Sequence, residues 1–107
     1  MATSRIDILN SMLAQNPNDS FARYGLAMEY RNRGDVARAV EEFRALTTAD
    51  PDYSAAYFHG GQALQRLGRI EEARQWYGRG VEVTTRKGER HALGELQAAL
   101  DLLDLLG

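Results

Sequence analysis

A period of 34 residues constrains this chain more than any single motif in it. The turn Asn16-Pro17-Asn18-Asp19 is answered one period later by Asp50-Pro51-Asp52. Residue types then repeat in register: Ser20 answers to Ser54, Ala22 to Ala56, Gly34 to Gly68, Ala39 to Ala73 and Phe43 to Tyr77. Each feature has a physical use. A residue before proline avoids helical dihedrals, so Asn16 and Asp50 end helices. Gly34 and Gly68 sit between two amphipathic stretches, where a helix C-terminus needs positive φ at low cost. Asp35, directly after Gly34, can cap the next helix. Ala39 and Ala73 fall where two helices must approach closely, and a larger side chain would force them apart. The repeating unit is a helix–turn–helix.

Counted from Ser20, the residues Leu26, Ala27, Tyr30, Gly34, Ala39, Phe43 and Pro51 fall at the large, small and turn positions of the tetratricopeptide repeat, which this unit resembles. The two copies depart from the family pattern at different places. The first has Arg23 where an aromatic residue is usual. The second has that aromatic as Tyr57, but Gly60 where Leu is expected and Thr85 where the closing Pro should stand. The resemblance implies an all-α fold, a right-handed superhelical stack of antiparallel helix hairpins with about six helices.

Taken in order, residues 4–15 read as a half-repeat helix with Ser4 as cap and Ile6, Leu9, Met12 and Leu13 on one face. Repeat 1 spans 20–53, with an A helix over about 19–32 and a B helix over about 35–49. Repeat 2 spans 54–87, with helices over about 53–66, opened by Asp52 and Ser54, and about 69–84. Residues 88–107 supply a capping helix with Leu93, Leu96, Leu100 and Leu103 along one side, as a repeat array needs at its end. Gly78 and Gly80 conflict with a helix interior, each costing up to ~1 kcal/mol relative to Ala; close packing or fraying would both account for them. The whole 1–107 is expected to be a single domain.

Composition narrows the function classes. With 44% apolar and 26% charged residues the chain is an ordinary globular one, and its net charge of −2 gives no general attraction to nucleic acid or anionic lipid. The basic excess over residues 66–90 reads as a solvated helix and loop. There is no cysteine, hence no disulfide, thiol catalysis or thiolate metal site. No run approaches the ~20 apolar residues of a membrane helix, and the N-terminus lacks the apolar core of a signal peptide. A cytoplasmic protein without cofactor or metal is the expectation. His59 and His91, the two histidines, lie in no metal-ligand spacing, and Gly60-Gly61 follows no strand that would make a phosphate loop. No catalytic residues are expected.

In the tetratricopeptide family the A helices line a concave face, and particular A-helix positions touch a ligand. What the resemblance implies for this chain is a partner-binding row of Phe21, Tyr24, Met28, Arg31 and Asn32 in repeat 1. In repeat 2 it is Ala55, Phe58, Gln62, Gln65 and Arg66, with His59 beside them. The last helix would add Glu89, Ala92, Leu96 and Ala99. Phe21, Tyr24, Met28 and Phe58 are expected to point away from the B helices as an apolar patch, the kind of surface that marks an interaction site. Packing within a curved array is the other reading of the same rings. Arg31 and Arg66 fall at one end of the row and could bond a carboxylate. One subclass grips a C-terminal carboxylate with Lys and Asn at two of these positions; here they are Tyr24 and Met28, so that clamp is not expected. The expected function is a non-catalytic protein–protein interaction module binding a peptide or helix of a protein partner. The alternative is a homodimer or larger homo-oligomer, a scaffold unit associating through terminal helices rich in leucine, with Leu102 and Leu105 off the inner face and Ile8 at the other end.

Overall fold

The structure, a computed structural model, describes residues 4–106 as six α-helices: α1 (Arg5–Gln15), α2 (Ser20–Asn32), α3 (Val36–Ala49), α4 (Ser54–Arg66), α5 (Ile70–Lys87) and α6 (Arg90–Leu106). No strand occurs among the described residues. The fold is all-α, with the helices where the 34-residue period puts them.

The same backbone device closes three of the helices. Gly34, Gly68 and Gly88 have φ of 84°, 77° and 72°, and no other described residue has positive φ. The N–H after each glycine reaches back to the last turn: Asp35 to the Tyr30 carbonyl, Arg69 to Leu64 and Glu89 to Thr84, each at 2.9 Å. These are Schellman closures, which satisfy carbonyls that the helix end would orphan. The third of them corrects one sequence boundary. The second B helix runs on to Lys87 instead of ending near Thr84, because its stop signal is Gly88 and the non-proline Thr85 lets the helix continue.

Helix starts are less uniform. Ser4 Oγ accepts from the Asp7 N–H at 3.1 Å, Asp19 Oδ1 from Ala22 at 3.0 Å and Asp35 Oδ1 from Arg38 at 3.3 Å. The expected opening of α4 by Asp52 and Ser54 does not form. Tyr53 occupies the cap position with no side-chain bond, Asp52 pairs with Arg86 at 2.7 Å, and Ser54 Oγ donates to Glu89. Both side chains instead tie the α4 entrance to the α5–α6 turn.

Each helix packs against its neighbours in the chain, and α4 also meets α6. The result is an elongated stack, 47 × 29 × 20 Å. Ala39 and Ala73 are fully buried at the hairpin crossings. Gly80 is a close-approach site: a Cβ there would lie 2.8 Å from Leu96 Cδ2 and 2.9 Å from Tyr57 Cβ. Gly78, in contrast, faces open space. Gly60 and Gly61 do for α4 what Gly80 does for α5, since a Cβ on Gly60 would meet the Trp76 ring at 2.5 Å and one on Gly61 would run into Cε1 of the Tyr77 ring. The missing leucine at Gly60 is therefore compensated by the Trp76 ring, which fills its space.

Buried apolar residues form two clusters. The larger runs through α2 to α6 around Phe43, Tyr57, Leu64, Trp76, Tyr77 and Leu96. The smaller holds Leu9, Leu13, Ala22 and Leu26 between α1 and α2, and Tyr30 packs against both. Met12, expected on the inner face of α1, is 39% exposed, whereas its repeat equivalent Leu46 is buried. Helix α1 packs against α2, so its inner stripe is narrower and Met12 falls outside it. In α6, Leu96 and Leu103 are buried and Leu93 and Leu100 half-buried, the stripe expected of a capping helix. No helix of the described residues is long and apolar enough to cross a membrane.

Candidate partner-binding face

The face formed by α2 and α4, with α6 beside them, carries a continuous row of rings. Tyr24 lies 5.3 Å from Tyr53, 6.3 Å from Phe43 and 6.0 Å from His59, and His59 lies 5.3 Å from Phe58 in an edge-on arrangement. Phe58 continues the row to Tyr77 at 6.3 Å. Such tilted and edge-on pairs add to what the area burial alone contributes. Helical spacing sets Tyr24 and Met28 on one face of α2, and Phe58 and Gln62 on one face of α4.

Two of the expected patch residues are therefore not turned away from the B helices. Tyr24 rests on Phe43 of α3 and Phe58 on Tyr77 of α5, each half-buried, and Met28 is half-buried against the same core. Their rings are long enough to lean back into the hairpin while their edges stay at the surface. Phe21 differs. It is 73% exposed in the first turn of α2 and touches no other ring among the described residues. Leu96 is buried and belongs to the core.

Polar groups frame this row. Arg31 donates from Nη1 to His59 Nδ1 at 3.1 Å, and from Nε and Nη2 to Asn32 Oδ1 at 3.2 and 3.0 Å. A guanidinium has no acceptor, so His59 must present a bare Nδ1 and carry its proton on Nε2. Burial pushes the His59 pKa below its ordinary value; the Arg31 charge adds to this and Glu95 opposes it. The imidazole is thus held neutral. Burial also raises the Tyr24 hydroxyl, with Tyr53 adding to the effect, and drives Tyr77 up to about 12. Tyr77 donates its hydroxyl hydrogen to Gln65 Oε1.

Three concavities border the ring row, one of about 350 Å³ lined in part by Asp50, Tyr53, Ser54 and Glu89. A recess of about 400 Å³ is lined by Arg31, Gln62, Ala63, Gln65 and Arg66, which brings the two arginines to one concavity. A smaller cavity of about 180 Å³ between α4 and α6 is lined in part by Phe58, His59, Ala92 and Glu95. Glu95, which pairs with His91 at 2.7 Å, and Tyr53 were both absent from the sequence expectation. Tyr53 lies ahead of the first turn of α4 and reads as a turn residue. Glu95 reads as the exposed end of a His91 i,i+4 pair, and only the packing of α6 on α4 brings it to the cavity. Among the described residues no group of His, Asp and Glu could hold a metal ion.

The geometry has counterparts among known proteins. The family model described as tetratricopeptide repeat matches residues 24–82. A TPR repeat-containing protein of Pseudomonas aeruginosa is 33% identical over 99 residues, 92% of this chain and 94% of that protein. The crystal structure of a tetratricopeptide repeat domain protein from Salinibacter ruber is 37% identical, covers 83% of this chain and 99% of its own, and superposes with a TM-score of 0.79. The type III secretion translocator chaperone SycD of Yersinia enterocolitica shares the fold at a TM-score of 0.87 with 18% identity, over 94% of this chain and 70% of its own.

Proposed function

Because this chain belongs to the tetratricopeptide repeat family, whose fold is that of a protein–protein interaction module, we propose that its α2–α4 face binds a segment of a protein partner in extended or helical form. One observation carries this reading. The ring edges of Tyr24, His59 and Phe58 form a fixed apolar floor, with exposed Phe21 at one side and a polar recess at the other. Rings already locked by the core lose little side-chain freedom when a ligand covers them, which favours affinity. Phe21 is the adaptable contact, and Arg31, Gln62, Gln65 and Arg66 set the ligand's orientation.

Photocrosslinking tests the proposal without disturbing the core. A benzoyl-phenylalanine placed at Phe21 or Gln62 should trap a protein partner in lysate, whereas the same group at Glu41, exposed on α3, should not. Crosslinks from Glu41 alone would move the binding surface to the B helices.

A second reading has its own observation. Leu102, Leu105 and Leu106 are 54%, 83% and 75% exposed at the end of α6, and Ile8 is 50% exposed on α1. Association between copies through these ends would cover them. Light scattering decides it: if the ends associate, Leu102→Glu with Leu105→Glu lowers the molar mass of the native protein to that of one chain. An unchanged mass removes this reading.

A further inference from the structure

The recess between the ends of α2 and α4 contains hydrogen-bond donors and positive charge with nothing acidic to answer them. Most basic side chains of this protein have a carboxylate within 4.0 Å; Arg5, Arg23, Arg33, Arg44, Arg69, Arg74, Arg86 and Lys87 all do. Among the described residues five have none, Arg31, Arg38, Arg66, Arg79 and Arg90, and of these Arg31 and Arg66 line the same recess. Arg31 is held in place by neutral acceptors, His59 Nδ1 and Asn32 Oδ1. Those bonds fix the guanidinium plane without cancelling its charge, and they engage only part of its five N–H groups. Gln65 is oriented as well. Its Oε1 is occupied by the Tyr77 hydroxyl, so its free end is the amide NH₂, a donor. Arg66 makes no side-chain bond among the described residues and is exposed, an arm able to close over whatever enters.

We propose that this recess is an anion subsite that takes the carboxylate of an Asp or Glu side chain in the partner segment, so that the preferred ligand is an acidic peptide with apolar neighbours. This rests on the face proposed above and specifies its ligand chemistry. A carboxylate offers two oxygens and about four lone-pair sites, which suits one fixed fork, one mobile fork and an amide NH₂. The charge of the site is preorganised, because Arg31 is positioned by bonds that exist before the ligand arrives. The apolar neighbours of the acid would lie on the Tyr24–His59–Phe58 floor next to the recess.

The test uses blocked peptides, N-acetylated and C-amidated, built from Glu, Leu and Ala, with a counterpart in which every Glu is Gln. A third peptide is the Gln version with a free C-terminal carboxylate. The wild-type protein, Arg66→Gln, Arg31→Gln and Phe21→Ser are titrated with each by calorimetry, and the Arg Nε–H signals are followed by NMR. The Glu peptide should bind wild type roughly tenfold or more tightly than either Gln peptide, the change that one charge-assisted bond supplies. It should shift the Arg31 and Arg66 side-chain signals, weaken as salt is raised, and lose about tenfold in Arg66→Gln. The Gln peptide should bind wild type and Arg66→Gln alike. Equal binding of Glu and Gln peptides, both weakened by Phe21→Ser, would overturn the acidic subsite while leaving the apolar face standing. A free-carboxylate Gln peptide that matches the Glu peptide would make the ligand a chain terminus and overturn the assignment to an acidic side chain. Binding of the Glu peptide that ignores Arg31→Gln and Arg66→Gln, or no binding of any peptide, would overturn the subsite as well.

Discussion

At the scale of single residues, glycines in this protein do opposite jobs within one helical layer. Gly61 lies under the Tyr77 ring, which is fully buried and cannot step aside, and a Cβ there would stand 2.7 Å from Tyr77 Cδ1. Gly78, one residue after Tyr77, has no atom within 4 Å of where its Cβ would be, and its backbone is helical. Gly61→Ala should therefore destabilise the fold by about 2 kcal/mol, as overpacking does. Gly78→Ala should stabilise it by up to about 1 kcal/mol, the helix-propensity difference. Urea unfolding of the two variants against wild type checks both signs. The sequence showed the conflict of Gly78 and Gly80 with a helix but not its resolution, because propensity is local and the ring or methyl that decides each case comes from another helix.

At the scale of elements, the two hairpins solve one packing problem with different chemistry. In the second, Tyr57 packs at a tilt against Trp76 with centroids 5.8 Å apart and donates its hydroxyl hydrogen to the Pro51 carbonyl at 2.6 Å. In the first, the equivalent positions are Arg23 and Glu42, joined at 2.9 Å, and Arg23 also reaches the Pro17 carbonyl at 3.4 Å. The departure of Arg23 from the family pattern is thus matched by Glu42, and an ion pair stands where an aromatic pair stands one repeat later. Both side chains are about one-fifth exposed, so the pair is partly shielded from water and should couple more strongly than a surface pair. A double-mutant cycle with Arg23→Met and Glu42→Met should give a coupling of about 1 kcal/mol, with the double variant nearly as stable as wild type because two apolar side chains then face each other. Additive losses would show that the pair contributes nothing as a pair. Much of this layer was legible: the glycine stops, the prolines and the inward alanines fixed the helices and their order. What was not legible depended on side-chain length. Position within a repeat suggested that Tyr24 and Phe58 turn away from α3 and α5, and only the reach of their rings brings them back onto Phe43 and Tyr77. The gathering of Arg31 and Arg66 was visible in the pattern; the neutral grip of His59 and Asn32 on Arg31 was not.

At the scale of the molecule, contacts run from each helix to its neighbours, so cohesion is distributed along the stack and not gathered at a centre. The smaller cluster of Leu9, Leu13, Ala22 and Leu26 joins α1 to the rest, with Tyr30 shared between the two clusters. Opening α1 alone would expose far less apolar surface than unfolding the larger cluster. Native-state hydrogen exchange should therefore find α1 amides exchanging through a partial opening, with lower protection than those of α4 and α5. Uniform protection across all six helices would show instead one cooperative unit.

The chain has one tryptophan, and its placement has a consequence for observing the protein at all. Trp76 is 4% exposed, tilted against Tyr57 and capped by the Arg44 guanidinium at 6.0 Å, within the larger cluster. Its emission is a native optical probe of the α4–α5 junction. It stays dark to events at α1, and the arginine recess is lined by other side chains. A titration followed by tryptophan emission alone would watch one hairpin, whereas Tyr30 stands at the α1–α2 cluster and Tyr24 on the proposed floor.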